Sequence, residues 1–379
     1  MMSNYKKKIV FLTGTRADYG KLKPLIVAAK KNKKFQPIIL ITGMHLKKKY
    51  GLTYIQIEKD FEDIQIYKVN NYQKNDNMDI VLAKTIKNVG KKIKKINPDL
   101  VVIHGDRVET LAVTIYCNFN NILTCHVEGG EVSGTVDESI RHATTKLAHT
   151  HFVSNLKAKN IIERMGEIKA NIYIIGSPEV DIMIGNNLPP QIKVKKRYNI
   201  KFDKYAIFLF HPVATLKKEE IEKQCKILFK VLTISKKNYV VILPNNDTFS
   251  NTVFKFINKL KKYKNIKILP SLRFEYYLML LKNSQFIIGN SSSGIREAPV
   301  YGVQTINLGD RQKNRADNSS IVNLNFNEKK ILKEIKEIKK PRNKKKFIFG
   351  RGGSANKFIN VINKKEFWLT SRQKYFVKN

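Results

Sequence analysis

The strongest constraint on the fold of this chain is a series of short runs that are apolar along their whole length. Strands with one solvent-exposed face alternate apolar and polar residues, whereas parallel strands that helices cover on both faces are apolar throughout. Such runs occur in both halves of the chain: KIVFLTGT, QPIILITG, LVVIHGD, ILTCHVEG, THFVSN and IYIIGS, then YAIFLF, YVVILP, IKILP, QFIIGN and QTINL. Amphipathic stretches between them, such as 79–96 and 137–148, predict helices, so the chain is predicted to be α/β with parallel sheets.

A polar stretch that contains prolines, GNNLPPQIKVKK, separates the two series of apolar runs and reads as a linker. We therefore predict two doubly wound domains that face each other across a cleft. The first covers 1–178 and the second, which binds a nucleotide, covers 179–352. A helix and tail over 353–379 can pack back on the first domain. Ligands of open parallel sheets bind beyond the carboxyl ends of the strands, which places the active site in the interdomain cleft.

The composition favours a soluble cytoplasmic protein. There is no run of 18 or more apolar residues, so we predict no membrane span, and the short apolar stretch near the N-terminus reads as a first strand. Cys117, Cys125 and Cys225 lack a CxxC spacing, which argues against disulfides and fits a reducing compartment.

The formal net charge of +40 raises the question of nucleic-acid binding. The lysines are spread along the whole chain and form no basic arm, so we predict no specific nucleic-acid partner. Arginine is rare and suits phosphate and carboxylate groups, because its planar fork donates two parallel hydrogen bonds. The motif segments contain these arginines: Arg16, Arg107, Arg141, Arg273, Arg296, Arg311 and Arg315.

Polar motifs follow the strands of the first half. TGTRADYG places Gly14, Arg16 and Lys21 between the first strand and a helix, where free backbone N–H groups attract anions. HGDRVET ends a later strand, and HVEGGEVSGTVDESIRH ends the next one. Together they supply imidazoles and carboxylates: His104, Asp106, Glu109, His126, Glu128, Glu131, Asp137, Glu138 and His142. Crowded carboxylates push their pKa values apart, which provides an acid and a base near neutral pH.

The same segments allow two other interpretations. Asp137 is also a suitable helix N-cap, and the paired Gly129 and Gly130 are expected to let the backbone approach a ligand. Three pairs have two metal-ligand types one residue apart: His104 with Asp106, His126 with Glu128, and His149 with His151. The nearby arginines would repel a cation and no HExxH motif is present, so we predict that the site holds no metal.

In the second half, GNSSSGIREAPVYG predicts a strand, a serine-rich turn and a helix. Ser291, Ser292 and Gly294 offer hydroxyls and N–H groups at the start of that helix, which is the chemistry of a phosphate cradle. Glu297, one turn further on, is placed to accept two ribose hydroxyls. No Ser-His-Asp arrangement in a GxSxG context is present, which argues against acyl transfer.

Taken together, these segments resemble the UDP-N-acetylglucosamine 2-epimerase family, and more closely its hydrolysing branch. The matching segments are GTRADYGKL, HGDR, HVEGGEVSGTVDESIRHATTKLAH, FHPVAT, PNND, IGNSSSGIREA and INLGDRQ. The RAD after GTR is a mark of the hydrolysing branch. The resemblance implies the glycosyltransferase-B type of fold, which has two facing Rossmann-like domains.

The resemblance also assigns residues. It implies that the catalytic residues are Asp106, Glu128, Asp137 and His211. It implies that the nucleotide and the sugar are bound by Arg16, Ala17, Lys21, Arg107, Arg141, Asn245, Ser291, Ser292, Gly294, Glu297 and Arg311.

The implied reaction needs neither a metal nor a redox cofactor. A base removes the proton on sugar carbon 2, the nucleoside diphosphate leaves from carbon 1, and water adds to the resulting glycal with inversion at carbon 2. The expected products are N-acetylmannosamine and UDP, which serve sialic-type sugar synthesis. The sequence leaves open the same chemistry on a UDP- or GDP-linked 2,4-diacetamido-trideoxyhexose, and also a glycosyltransferase of the same fold. The expected partner is a small sugar nucleotide, and the expected assembly is a homodimer.

Overall fold

The computed structural model describes residues 5–73, 76–133, 136–244, 249–270, 272–312, 315–316, 318–338, 344–375 and 377. The chain divides into two compact units. The first unit comprises Met1–Glu131, Asp137–Ile184 and Phe349–Asn379, and the second comprises Val132–Val136 and Gly185–Ile348. Each unit is built on one sheet in which every strand pair is parallel.

The described strands and helices alternate along both units. The strands are β1 (Lys7–Thr13), β2 (Phe35–Ile41), β3 (Gln65–Lys68), β4 (Leu100–His104), β5 (Thr124–Val127), β6 (Thr150–Val153), β7 (Ile172–Ile174), β8 (Ala206–Leu209), β9 (Tyr239–Ile242), β10 (Ile266–Leu269), β11 (Phe286–Gly289), β12 (Gln304–Leu308) and β13 (Ile321–Leu324). The α-helices are α1 (Arg16–Lys31), α2 (Tyr54–Asp60), α3 (Met78–Ile96), α4 (Val108–Phe119), α5 (Val136–Leu147), α6 (Leu156–Arg164), α7 (Pro178–Ile184), α8 (Gln191–Tyr198), α9 (Lys218–Ile234), α10 (Ser250–Lys259), α11 (Phe274–Asn283), α12 (Ser293–Arg296), α13 (Glu328–Glu337), α14 (Ser354–Ile362) and α15 (Lys365–Trp368). Short 3₁₀ turns cover Gly43–Leu46, Lys48–Tyr50, Lys169–Asn171, Leu260–Lys262 and Ala298–Tyr301.

The strand order defines a crevice in each sheet. The first unit has the order β3-β2-β1-β4-β5-β6-β7, and the second has β10-β9-β8-β11-β12-β13. The direction of winding therefore reverses between β1 and β4 in the first sheet, and between β8 and β11 in the second. In doubly wound sheets, ligands bind at such a reversal, beyond the carboxyl ends of the strands. The loops after these four strands are thus the places to look for a site.

The apolar runs predicted the interior of both sheets correctly. Each of them contains a strand, and the two predicted helices correspond to α3 and α5 within one residue at each end. The sequence pattern missed β3 and β13, because both lie at a sheet edge and most of their side chains are partly or fully exposed. An edge strand needs no continuous apolar run, so this pattern carries no signal for it.

The C-terminal segment completes the core of the first unit. Phe358 of α14 is fully buried, and its ring centroid lies 5.1 Å from that of Phe152 on β6 and 6.4 Å from that of Phe11 on β1. Asp181 of α7 accepts hydrogen bonds from the first two backbone N–H groups of α14, at 3.0 and 2.9 Å. This carboxylate satisfies donors that a helix N-terminus leaves unpaired and lies at the positive end of its dipole.

These contacts explain where the units divide. The backbone N–H of Ser177 donates to the carbonyl of Phe349 at 2.6 Å, so the chain rejoins the first unit at that residue. The first unit accordingly ends at Ile184 instead of residue 178, because α7 packs against α1 and α14. It resumes at Phe349 instead of residue 353.

The structure shows the state of the three cysteines and the lengths of the described helices. Cys117, Cys125 and Cys225 are all buried and free, as predicted for a chain without disulfides. Along the described part of the chain, every helix is too short or too polar to cross a lipid bilayer.

Candidate active site

Glu128 is the centre of a buried polar cluster beyond the carboxyl ends of β4 and β5. Its Oε2 lies 3.0 Å from Nε2 of His104 and 3.3 Å from Nζ of Lys21, and its Oε1 accepts a hydrogen bond from the hydroxyl of Ser177. Its side chain is 4% exposed. Burying an unpaired carboxylate is costly, and these three donors offset that cost for Glu128.

The backbone of Glu128 is itself unusual. Its φ is +64°, in the left-handed region that residues with a Cβ rarely adopt, while its N–H donates to the carbonyl of Phe152 at 2.9 Å. Such a conformation costs on the order of 1–2 kcal/mol, and it persists only where the surroundings enforce it. Strained residues cluster at functional sites, so this outlier marks Glu128 as a functional candidate by a signal independent of its side-chain contacts.

A second cluster surrounds Arg141 of α5. Arg141 is 1% exposed, and its guanidinium pairs with the carboxylate of Asp106 and donates to the carbonyl of Glu131 at 2.9 Å. Burial opposes its charge, but the carboxylates of Asp106, Glu131 and Asp137 more than compensate and raise the pKa of Arg141. Asp137 lies in the first turn of α5, which begins at Val136, so the N-cap interpretation of Asp137 is wrong. Asp106 and Asp137 therefore face one permanent positive charge.

His126 has a structural role. It is fully buried, and its Nε2–H donates to the carbonyl of Gly105 at 2.8 Å while Thr145 donates to its Nδ1 at 3.1 Å. Burial lowers the pKa of His126 to about 3, so the ring is neutral. A Cβ at Gly129 would lie 2.8 Å from His126 Nδ1. The Gly129–Gly130 pair thus permits close internal packing, and the expectation that it serves the approach of a ligand is corrected.

The loop after β1 differs from the prediction in one respect. The N–H groups of Gly14 and Thr15 donate to the carboxylate of Asp18, at 2.9 and 2.7 Å, so neither is free for an anion. Thr15 is the N-cap of α1, and its side chain forms a capping box with Asp18. Arg16 follows as the first residue of α1 and is half-buried, and Ala17 is exposed beside it. The N–H groups of Gly14 and Thr15 are therefore not the anion donors that the sequence suggested.

The three residue pairs considered as metal ligands make other contacts. His104 contacts Glu128, Asp106 contacts Arg141, and the two ring nitrogens of His149 bond to the N–H of Thr124 and the carbonyl of Arg372. Arg107, the N-cap residue of α4, has its Nε 3.8 Å from the Glu109 carboxylate. Across the residues that the structure describes, no three His, Cys, Asp or Glu side chains are grouped so as to hold a metal ion.

The buried histidines predict how stability depends on pH. Burial lowers the pKa of His45, His126 and His149 from 6.5 to about 4, 3 and 4. Below pH 6.5 the unfolded chain binds protons that the folded chain refuses, so stability falls as the pH drops from 7 towards 4. Each histidine contributes at most about 1.4 kcal/mol per pH unit in this window. Urea unfolding at pH 7.5, 6.5 and 5.5 measures the slope.

One substitution controls that measurement. His149→Gln removes one of the three contributions and should flatten the slope. Equal stability of the wild-type protein at all three pH values would contradict the prediction.

In the second unit, Asn290 joins the loops after β8 and β11. Its side chain accepts from the N–H of His211 and donates to the carbonyl of His211, both at 2.7 Å. The Asn290 carbonyl in turn accepts from Arg311 at 3.2 Å and from Gln312 at 3.3 Å. His211 and Arg311, predicted from separate motifs, are therefore held by one buried residue at the reversal of the second sheet.

The serine-rich turn lies where it was predicted, but its glycine, Gly294, has a different role. Ser292 is the N-cap of α12, and Ser291 and Ser292 are both half-buried. The N–H of Gly294 donates to the Ser291 carbonyl at 3.1 Å, and a Cβ at Gly294 would lie 2.5 Å from Thr305 on β12. Gly294 thus allows the helix to pack on the sheet, and its N–H is already used, which corrects its predicted role as a phosphate donor.

Two predicted site residues remain, Glu297 and Asn245, and only Glu297 is among the residues that the structure describes. Glu297 is 5% exposed at the end of α12. Asn245 lies outside the described residues. Three further residues of these clusters were not predicted from the sequence: Ser177, Glu179 and Asn290. Ser177 and Glu179 sit in SPEVD, where Pro178 opens α7 and the residues resemble an ordinary helix start.

The architecture of the two units defines a class of protein. Two doubly wound parallel sheets with polar residues at both reversals are the arrangement of the glycosyltransferase-B type. Among solved structures, the UDP-GlcNAc 2-epimerase of Methanocaldococcus jannaschii, crystallised with UDP-GlcNAc and UDP, superposes with a TM-score of 0.81. It is 24% identical, over 94% of this chain and 99% of that chain.

Sequence comparison identifies the family within this class. The sequence model of the UDP-N-acetylglucosamine 2-epimerase family matches residues 27–363, and the chain belongs to this family. A Neisseria meningitidis protein named UDP-N-acetylglucosamine 2-epimerase is 40% identical, over 98% of this chain and 99% of its own length. A Legionella pneumophila protein named UDP-N,N'-diacetylbacillosamine 2-epimerase (hydrolyzing) is 30% identical, over 94% and 95%.

Proposed function

We propose that this protein is a hydrolysing 2-epimerase, which converts UDP-N-acetylglucosamine to N-acetylmannosamine and UDP for sialic-type sugar synthesis. The family membership and the 40% identity to the Neisseria relative support the substrate. The GTRADYG motif and the name of the Legionella relative support the hydrolysing branch.

The observation that carries the proposal is the environment of Glu128. A strained, buried carboxylate with three donors lies beyond the ends of β4 and β5, and Asp106 and Asp137 face the buried Arg141 close by in sequence and in the same unit. Proton abstraction next to a leaving group requires a base and an acid with different proton affinities. Glu128 has Lys21 as a charged partner and Asp137 has Arg141, and such differences in surroundings are what separate the proton affinities of two carboxyl groups.

In the proposed mechanism, Glu128 and Asp137 share the proton transfers. One of them removes the proton on sugar carbon 2 as the bond from carbon 1 to the diphosphate oxygen breaks. Water then adds to the glycal: its oxygen bonds to carbon 1 and gives one proton to a carboxylate. A carboxylic acid delivers a proton to carbon 2 on the face opposite to the one that lost the first proton. Asp106, held by Arg141, positions the sugar. The overall reaction is redox-neutral, and all protons come from water and carboxyl groups.

The second unit is proposed to bind the nucleotide. Arg311 offers a planar fork to the diphosphate, and Ser291 and Ser292 offer hydroxyls. His211 is proposed to contact the leaving diphosphate and Glu297 the ribose. In the first unit, Arg16, Ala17 and Arg107 complete the substrate contacts. Stabilising the charge that develops on the leaving diphosphate is the largest contribution expected from these groups.

A deuterium experiment tests the proposal. We expect the purified protein, incubated with UDP-N-acetylglucosamine and EDTA in deuterated water, to release UDP and free N-acetylmannosamine that carries deuterium at carbon 2. Proton NMR follows both products. UDP-N-acetylmannosamine as the product, with no free sugar, would instead indicate a non-hydrolysing epimerase. Transfer of the sugar to an added acceptor with retention of the carbon 2 proton would indicate a glycosyltransferase.

The second candidate is the same reaction on a diacetamido sugar nucleotide, and the name of the Legionella relative favours it. The chemistry at carbons 1 and 2 is common to both substrates, so the groups around Glu128 do not distinguish them. The ratio of kcat/KM for UDP-N-acetylglucosamine and UDP-N,N'-diacetylbacillosamine decides between the two. A ratio above about 100 in either direction corresponds to roughly 2.7 kcal/mol of discrimination and would assign the substrate.

A further inference from the structure

Glu179 is a buried acidic residue that the proposed mechanism does not use. It is the second residue of α7 and is fully buried. Its Oε2 lies 3.0 Å from Nζ of Lys21, and the same Nζ lies 3.3 Å from Oε2 of Glu128. One buried ammonium group therefore stands between two buried carboxylates.

The position of Glu179 is fixed by its neighbours in sequence. Ser177 donates its hydroxyl to Glu128 and its backbone N–H to Phe349, and Asp181 caps α14. Segment 177–181 is thus bonded both to the candidate catalytic carboxylate and to the C-terminal segment of the same unit. Carboxylates this deeply buried are retained when they have a charged partner, and Lys21 is a charged partner of Glu179.

The charges around Glu128 determine how strongly it holds a proton. Lys21 from α1 and the Nε2–H of His104 on β4 favour its ionised form, while Glu179 from α7 opposes that form. With Lys21 alone beside it, Glu128 would be a weak base, because a neighbouring cation lowers the proton affinity of a carboxylate. A second carboxylate on the same ammonium reverses part of this effect.

We propose that Glu179 is a positioning residue that shares Lys21 with Glu128 and thereby keeps Glu128 basic enough to exchange a proton with the substrate. This inference rests on the proposed function, in which Glu128 transfers protons. It adds a residue that acts through Lys21 and touches no substrate atom. Glu179 also fixes Lys21 at the side of Glu128, since the ammonium group is held from two directions.

The test is a titration of Glu128 that does not depend on catalysis. Full-length protein labelled with ¹³C at the glutamate carboxyl carbon gives a Glu128 signal, which is assigned by its loss in Glu128→Gln. In Glu179→Gln we expect the midpoint of that signal to move to lower pH by about one unit, because the opposing charge is gone. In Lys21→Met it should move to higher pH. Glu163→Gln, which changes an acidic residue of α6, should leave it in place.

Activity supplies the second measurement. When kcat/KM is measured against pH, the acid limb of the Glu179→Gln profile should shift to lower pH, as the Glu128 signal does. The plateau of kcat/KM should fall about tenfold, because the base is weaker. A purely structural role would lower the plateau without moving the limb. If Glu179→Gln does not fold, Glu179→Asp keeps the charge further from Lys21 and should give a smaller shift of the same sign.

The outcomes separate this inference from the proposed function. An unmoved Glu128 signal in a folded Glu179 variant would overturn the inference, whichever substrate the enzyme uses. A moved signal in a protein that turns over neither sugar nucleotide would support the inference on the charge of Glu128 and refute the proposed function.

Discussion

Replacing Glu128 by Gln is expected to lower kcat/KM for the sugar nucleotide by about a thousandfold. The amide has nearly the same shape as the carboxylate, and its oxygen can still accept from Ser177 or from His104, so the fold should survive. It cannot accept a proton, which removes one member of the acid–base pair. Release of UDP, followed by a coupled assay at pH 7.5, gives kcat and KM separately, and the loss should lie in kcat.

Two further variants control this result. Glu163→Gln makes the same chemical change on α6, where Glu163 pairs with Lys159 at 3.7 Å, and should retain wild-type kcat/KM. Asp137→Asn should lose about a hundredfold, since Asp137 is the proposed partner in proton transfer. Wild-type turnover by Glu128→Gln would refute the assignment of Glu128 as an acid–base residue.

Replacing Phe358 by Ala is expected to destabilise the first unit by about 3–5 kcal/mol. Phe358 is fully buried against Phe152 and Phe11, and its removal leaves a cavity between α14 and the sheet. The single tryptophan, Trp368, lies in α15 of the same unit, and its indole donates to the Ile362 carbonyl at 2.7 Å. Its fluorescence during urea unfolding therefore reports on this part of the core.

The matched control is Phe119→Ala. Phe119 ends α4 and is 78% exposed, so its removal should change the unfolding free energy by less than about 0.5 kcal/mol. Equal midpoints for Phe358→Ala and Phe119→Ala would show that the C-terminal helix adds nothing to the stability of the first unit.

The sequence predicted the site in part. Asp106 and Glu128 follow strands, as the motifs indicated, Arg141 lies on α5, and the structure gathers all three in one unit. The sequence also suggested free N–H groups after β1 and a glycine pair that faces a ligand. Asp18 instead accepts from the N–H groups of Gly14 and Thr15, and the glycine pair makes room for His126 and α6. A motif shows which residue types are present, but their hydrogen-bond partners lie in other segments of the chain.

Ser177 and Glu179 show most clearly what a motif cannot supply. They lie about fifty residues from Glu128 in sequence, and nothing in SPEVD distinguishes it from the start of an ordinary helix. Only the sheet order, which places β7 beyond β6 and returns α7 towards α1, brings them to Glu128 and Lys21. In the second sheet, the strand order places β8 beside β11, which brings Asn290 into contact with His211.

The sequence by itself determined which segments are buried strands and which are helices, because apolar periodicity is a local property that each segment carries alone. It did not determine the edge strands β3 and β13, whose half-exposed residues leave no such pattern. The order of the strands, and therefore the set of loops that meet at each reversal, was decided only by the tertiary structure. That choice depends on how whole sheets and helices pack together, and the residues that settle it are far apart in the chain.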